Sequence, residues 1–275
     1  MTKLILFDWD NTVVREDYLF NSAEFNSLIK SRQSDGWLIG LNSDTPLRRL
    51  INWQKPLGMN GPIIAENGAV VWWPDTKPII TSKAESIFYK LRKDVLDILV
   101  RVQNLSLFVG DSTEFIKSVK HLSCADRILV VFDAYRLCSL GLFVRQLADD
   151  GALIKTNEAT KEISQLLNSC LPSTPLVTSI DPSGLPYGYL CIGAADANKS
   201  AGVKALVEAH PEISAVIMVG DSMRDYISLP LDYPKIQNFA VGNACEELKQ
   251  LSDYVARKQF AEGCSEILSY IGETG

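Results

Sequence analysis

The stretch LILFDWDNT, residues 4–12, constrains this chain more than any other. Leu4 to Phe7 are four consecutive apolar residues, short and without the alternation of a half-exposed strand, so they predict a strand covered on both faces. Such strands belong to parallel sheets flanked by helices. Two carboxylates, Asp8 and Asp10, stand where this strand ends. A pair so close repels itself unless a cation or a proton intervenes.

The first third of the chain continues as alternating helix and strand. Residues 21–31 predict a helix with Phe25, Leu28 and Ile29 on one face, and residues 36–41 (GWLIGL) a second strand. The polar turn from Asn42 to Pro46 supplies a cap and a proline suited to a helix start, and the helix LRRLINWQKPLG stops near Pro56 and Gly58. Residues 62–65 predict a third strand, and Glu66-Asn67-Gly68 a turn into the hairpin strand AVVWW. The middle changes character. It predicts an amphipathic helix over 82–103, a strand over 127–134, a helix through YRLCSLGLFVRQLADDG, another over 158–170, and a strand pair around DPSGLP. From Asn198 the alternation resumes: helix 199–209, strand 215–219 ending in GDSMRD, strand 238–241, and a helix opened by GNACEELKQL. Two α/β segments around a foreign block predict an α/β fold: a Rossmann-like parallel-sheet core formed by residues 1–77 and 191–275, with an inserted α+β domain at 78–190.

Composition narrows the function classes. A net charge of −6 over 275 residues supplies no sustained basic patch, which argues against a nucleic-acid partner. No leader pattern opens the chain and no apolar run approaches a membrane span, so the expectation is a cytoplasmic protein with no membrane partner. The six cysteines are scattered without CxxC spacing, which reads as buried thiols rather than a zinc site.

Ligands of parallel sheets bind beyond the carboxyl ends of the strands. Four polar sites fall at strand ends or helix starts of the core: DWDNT, NSDT (42–45), Lys199 and GDSMRD (220–225). Each has a bland reading as a turn, a helix cap or an exposed lysine. Their joint order is what singles them out: carboxylate pair, hydroxyl, lysine, carboxylate pair. Carboxylates from the first and last sites would converge on a cation, and an all-oxygen donor set suits Mg²⁺.

In that order the chain resembles the haloacid dehalogenase superfamily of phosphatases, whose motifs are DxDxT, a Ser/Thr after a strand, a Lys, and GDxxxD. It is most similar to the Cof-like branch, in which a cap lies between the second and third motifs, through LGMNGPIIAENGA (57–69), FAVGNACEELKQLSDYVA (239–256) and AEGCSEIL (261–268). LGMNGPIIAENGA resembles phosphoglycolate phosphatases and related sugar-phosphate phosphatases. The resemblance implies a Mg²⁺-dependent phosphatase of a small phosphorylated metabolite, monomeric or homodimeric. Asp8 would be the nucleophile that forms an aspartyl-phosphate, and Asp10 the acid and then the base. Ser43, Lys199 and Asn11 would bind the phosphate. Asp8, Asp10 (through its carbonyl), Asp221 and Asp225 would hold the metal. Tyr187, Tyr189 and the DPSGLP turn, near the return to the core, read as a packed strand pair or as substrate contacts. This sequence departs from the family pattern at Asn11, at Asp44 within NSDT, and at Arg224. The alternatives are a phosphomutase or phosphotransferase on the same fold, and a catalytically silent metabolite-binding protein.

Overall fold

The structure, a computed structural model, describes residues 2–15, 22–81, 85–111, 128–148, 153–171, 176–179, 188–194, 196–230 and 233–274. Its chain divides into two compact units, Met1–Thr81 with Ala197–Gly275, and Ser82–Asp196.

The first unit begins with β1 (Thr2–Phe7), whose Leu4, Ile5, Leu6 and Phe7 are fully buried, as a strand covered on both faces requires. Helix α1 (Ser22–Ser34) turns Phe25 and Ile29 inward, and β2 (Trp37–Asn42) follows. Helix α2 (Leu47–Leu57) ends at Gly58, whose left-handed φ of 67° lets its N–H reach the carbonyls of Gln54 and Lys55. At its other end Pro46 occupies the N-cap position with no side-chain capping bond, so the expected polar cap is absent. Strands β3 (Ile63–Ala65), β4 (Val70–Trp72) and β5 (Ile79–Ile80) complete this first segment.

The second unit holds α3 (Glu85–Leu99), β6 (Leu105–Gly110), β7 (Ile128–Asp133), β8 (Leu140–Leu147), β9 (Leu153–Lys155), α4 (Asn157–Cys170), β10 (Leu176–Ser179) and β11 (Tyr189–Ala194). Its sheet runs β10-β11-β8-β7-β6, with β9 on β8, and is antiparallel except for β6–β7. Phe88, Leu91, Val95 and Leu99 of α3 cluster with Ile163 and Leu167 of α4 and with Val130, Phe132, Leu142 and Val144. Leu129 and Val131 belong to a separate cluster with Phe108 and Phe143, as strand alternation dictates. The predicted helix through YRLCSLGLFVRQLADDG is corrected by this sheet. Residues 140–147 form β8, paired with β7, β9 and β11. Leu140, Leu142 and Val144 are buried in one cluster while Phe143 packs against the other, so the consecutive apolar residues hide the period of two, and sheet pairing overrides the Leu-rich helical propensity. Strands β6 and β9 were not expected from the sequence either. Tyr189 lies on β11 against Phe143, whereas Tyr187 and the DPSGLP turn lie outside the described residues.

The chain re-enters the first unit with α5 (Lys199–Ala209), β12 (Ile213–Gly220), β13 (Lys235–Ala240), α6 (Glu246–Leu251), β14 (Tyr254–Val255) and α7 (Phe260–Thr274). The sheet order is β14-β13-β12-β1-β2-β3-β4-β5, parallel from β14 to β3. From β1 the chain proceeds to β2 on one side and returns later to β12 on the other, so β1 is the topological switch point where α/β sheets bind ligands. Register sharpens this: Phe7 pairs with both Leu41 and Val219. The turns that follow β1, β2 and β12 therefore leave the sheet side by side. No helix among the described residues is long and apolar enough to cross a membrane.

Candidate active site

Asp8 is the first residue past β1, and its N–H donates to the Val219 carbonyl at 2.9 Å, tying it to β12. The turn beyond is closed by Val13 and Val14 N–H groups on the Trp9 carbonyl and by the Asn11 N–H on the Val14 carbonyl. Asn11 takes a left-handed φ of 61°, which asparagine tolerates better than most residues. Asn243 donates to the Asn11 carbonyl at 2.7 Å and accepts the Phe260 N–H at 2.9 Å, so the turn is tied to the start of α7. Trp9 is buried and stacks on Trp53 with centroids 4.7 Å apart, so it packs, as its place between the two carboxylates predicts.

Around Asp8 the four polar sites largely converge. Lys199 Nζ contacts Asp8 Oδ1 at 2.7 Å and also Asp225 Oδ1, with Asp8, Lys199 and Asp225 all buried. Thr12 Oγ1 lies 3.0 Å from Asp221 Oδ1 and 3.3 Å from Asp8 Oδ2. A hydroxyl has one proton to donate, so the shorter contact with Asp221 takes precedence. The second oxygen of Asp225 accepts the N–H groups of Asp221 and Ser222 and the Ser222 hydroxyl at 2.9–3.1 Å. Gly220 makes this possible, because a Cβ there would stand 2.1 Å from the Asp225 Cβ.

Lys199 opens α5, an end of a helix that disfavours a cation, so its two carboxylate partners hold it there. The helix is capped by Asn198, which accepts the Ala201 N–H at 2.8 Å. Its first turn rests on the Glu66-Asn67-Gly68 turn. Gly68 has a φ of +92°, and a Cβ on it would fall 1.9 Å from the Asn198 carbonyl oxygen. Ser43, buried at the end of β2, donates its N–H to the Ile64 carbonyl and accepts the Thr45 N–H on its hydroxyl at 3.2 Å. Half-exposed Asp10 accepts a hydrogen bond from Thr45 Oγ1 at 3.2 Å.

The electrostatics follow from this crowding. Burial pushes the Asp8 carboxyl well above its ordinary value, against the pull of Lys199 and with the repulsion of Asp225 and Asp221. Burial and Asp225 push Asp221 up to about 7. Burial alone would lower Lys199, but Asp225 and Asp8 together hold its ammonium above the usual lysine value.

Carboxylate oxygens of Asp8, Asp221 and Asp225 all lie within 4.8 Å of one another. Three carboxylates and one ammonium leave two negative charges, which a divalent cation balances. The donors are all oxygen, which suits a hard ion. Both oxygens of Asp225 are already occupied by donors, so Asp8 and Asp221 are the better placed to meet that ion. The aspartate cluster is thus compatible with a divalent metal site.

Sequence reasoning gave no role to Thr12, Thr45, Ser222 or Asn243. Thr12 stands in DWDNT and Asn243 in FAVGNA, so the motif stretches carried the signal. Thr45 stands in NSDT and Ser222 in GDSMRD as well; Ser222 bonds Asp225 three residues on, a spacing the sequence displays, whereas the bond from Thr45 to Asp10 spans 35 positions.

The chain matches the haloacid dehalogenase-like hydrolase family over residues 5–268. It belongs to that family. It is a Cof-like member and an enzyme of the phosphatase kind. A phosphoglycolate phosphatase of Staphylothermus marinus is 24% identical over 274 residues, 98% of each chain. A haloacid dehalogenase-like hydrolase of Bacteroides thetaiotaomicron shares the fold with a TM-score of 0.65 at 16% identity, covering 98% of this chain and 100% of that one. One from B. subtilis does so with a TM-score of 0.61 at 15% identity, covering 97% and 99%.

Proposed function

We propose that the protein is a Mg²⁺-dependent phosphatase that hydrolyses a small phosphorylated metabolite, of the phosphoglycolate or sugar-phosphate type, through an aspartyl-phosphate on Asp8. The observation that carries this reading is the buried Asp8–Lys199–Asp225 ion pair beside Asp221, at the switch point of the sheet. Asp8 ends a rigid central strand, which fixes the attacking oxygen. Asp10, two residues on and half-exposed, protonates the leaving oxygen and then takes a proton from water. Lys199 and Ser43 bind the non-bridging phosphate oxygens, while Asn11 shapes the turn and joins them at the phosphate. Asp8, Asp221 and the Asp10 carbonyl would hold Mg²⁺, with Asp225 bracing the loop and Lys199. Bound there, Mg²⁺ supplies the positive charge that lets a carboxylate approach an anionic phosphate. The inserted unit acts as a cap that restricts the site to small substrates. The phosphoglycolate phosphatase relative supports the substrate class.

The test is turnover of 4-nitrophenyl phosphate and of a panel of phosphorylated metabolites, with Mg²⁺ and with a chelator. Mass spectrometry of acid-quenched enzyme then locates the phosphoryl group. Mg²⁺-dependent release of phosphate with the group on Asp8 is the expected result. Turnover of no ester, or a phosphoryl group on another residue, refutes the reading.

A further inference from the structure

We propose that Asn243 is a positioning residue for the cation: it sets the spacing between the turn after β1 and the turn after β12, across which Mg²⁺ would be held. The inference rests on the phosphatase reading above and adds to it a residue outside the four polar sites.

Residues 241–245 (VGNAC) follow β13 and fasten three parts of the first unit together. Toward the GDSMRD turn, the Val241 N–H donates to the Gly220 carbonyl at 3.2 Å and the Cys245 N–H to the Asp221 carbonyl at 2.8 Å. Toward the DWDNT turn, the Asn243 amide donates to the Asn11 carbonyl at 2.7 Å. Toward the start of α7, the Gly242 N–H donates to the Lys258 carbonyl at 2.8 Å, and Asn243 Oδ1 accepts the Phe260 N–H at 2.9 Å. The partners fix the carboxamide's orientation, since a carbonyl faces its NH₂ and an N–H faces its oxygen. Five residues thus join the backbone of Asp221 to that of Asn11, and Asn243 supplies the crossing. The Thr12 hydroxyl also joins the two turns, at 3.0 Å, but through the Asp221 carboxylate that a cation would engage. The Asn243 bond ends on backbone, so it does not compete with the ion. Both residues it holds have left-handed backbones, with φ of 61° at Asn11 and 50° at Phe260. Such a value is rare for a bulky side chain and persists only where the surroundings impose it. Without the strap, the peptide joining Asn11 to Thr12 loses a restraint, and it lies beside both the Asp10 carbonyl and the Thr12 hydroxyl.

The chemistry says where this matters. Mg²⁺ demands near-octahedral oxygens at about 2.0–2.1 Å, and any rearrangement needed to meet that demand is subtracted from its affinity. Asp8 and the Asp10 carbonyl come from one turn and Asp221 from another far along the chain, so their separation depends on what joins the turns. Before the ion arrives, the carboxylates repel one another. A backbone strap resists the spreading that this repulsion favours. Once bound, the ion draws both turns to its own geometry. Loss of the strap should therefore raise the Mg²⁺ concentration required more than it lowers the rate at saturation.

The experiment compares wild type, Asn243→Ala, Asn243→Asp and, as a control, Ile267→Ala, which removes a fully buried side chain of α7 and alters neither bond of Asn243. Mg²⁺ is titrated into substrate-free protein by calorimetry, and the Mg²⁺ concentration for half-maximal turnover of 4-nitrophenyl phosphate is read beside it. Both Asn243 variants are expected to raise both concentrations about 10-fold or more, the effect of losing a group that supports a metal's ligands. Their kcat at saturating Mg²⁺ should fall by less than that. Asn243→Asp keeps an acceptor for the Phe260 N–H and loses the donor to Asn11, so it carries the test even if Asn243→Ala does not fold. Its added negative charge would by itself tighten Mg²⁺, so weaker binding there reports position. Ile267→Ala should melt lower and leave both concentrations unchanged. Unchanged or tighter binding in Asn243→Asp, a loss of kcat that saturating Mg²⁺ does not restore, or an equal shift in Ile267→Ala overturns the role of Asn243. A wild type that takes up no Mg²⁺ and needs none for turnover overturns the metal reading beneath it.

Discussion

In the sheet of the first unit, β12, β1 and β2 end level with one another, and each passes its chain to a polar turn. In the sheet of the second unit, β7 and β8 are joined by residues 134–139 and run back antiparallel, so connections alternate between the two ends. Parallel strands need crossovers, which gather like ends on one side, and the first unit uses that side for Asp8, Ser43 and Asp221. Buried cations differ in the same way. Lys199 sits between two carboxylates, whereas Arg136 of the second unit bonds to the hydroxyls of Ser139 and Tyr189. The first arrangement stores charge that a phosphate or a cation can rearrange; the second fastens a turn to a strand.

The sharpest break between the two regions is chemical. Asp8→Asn should lower turnover by more than about 10³-fold, because no other group can form the acyl phosphate. Its melting temperature should match or exceed wild type, since burial disfavours the charge that the amide removes. Turnover near the wild-type rate would refute the covalent route.

Lys199→Ala and Leu142→Ala separate the regions by kind. Removing Lys199 leaves Asp8 and Asp225 buried without their cation, at a cost of about 3–5 kcal/mol in cation-free protein. Removing most of the fully buried Leu142 side chain opens a cavity in the second unit at about 2–5 kcal/mol. Denaturant titrations with and without Mg²⁺ distinguish them. The cation should restore part of the loss in Lys199→Ala, because it answers the same negative charge, and none of it in Leu142→Ala. Equal Mg²⁺ responses would mean that the cation does not bind this cluster. A smaller effect is expected from Gly68→Ala, about 1–3 kcal/mol, from the left-handed φ and the contact with the Asn198 carbonyl. It should also reduce kcat, since α5 carries Lys199.

The same contrast explains what the sequence made legible. LILF announced β1 because a strand buried on both faces is a bare apolar run bounded by turns. The order DWDNT, NSDT, Lys199, GDSMRD announced the cluster because parallel topology brings strand ends together whatever the distance in sequence. LGLFVRQL failed for a different reason: its consecutive apolar residues Leu142, Phe143 and Val144 pack against two separate clusters and hide the alternation, and it has few β-branched residues to mark a strand. The bonds from Thr45 to Asp10 and from Asn243 to Asn11 span 35 and 232 positions, and only folding shows them.

The smallest effect concerns protons. Asp221 rises from 3.8 to about 7 in the folded cation-free protein, and Asp8 is displaced in the same direction. A carboxyl whose folded pKa is raised contributes its full stability below the unfolded value, where both states hold the proton. As pH climbs from about 4, the unfolded chain releases that proton while the folded one retains it, so stability falls until the pH passes about 7. Cation-free protein should therefore melt a few degrees lower at about pH 8 than at about pH 5. With Mg²⁺ the ion takes the place of the proton, and the decline should shrink or vanish. Asp221→Asn, which cannot titrate, should flatten the cation-free curve and weaken the response to Mg²⁺. The second unit supplies the control, because Leu142→Ala should lower both curves without changing their slopes. Parallel curves with and without Mg²⁺ in wild type would show that the proton and the cation do not compete, and the cluster would then be a structural ion pair rather than a metal site.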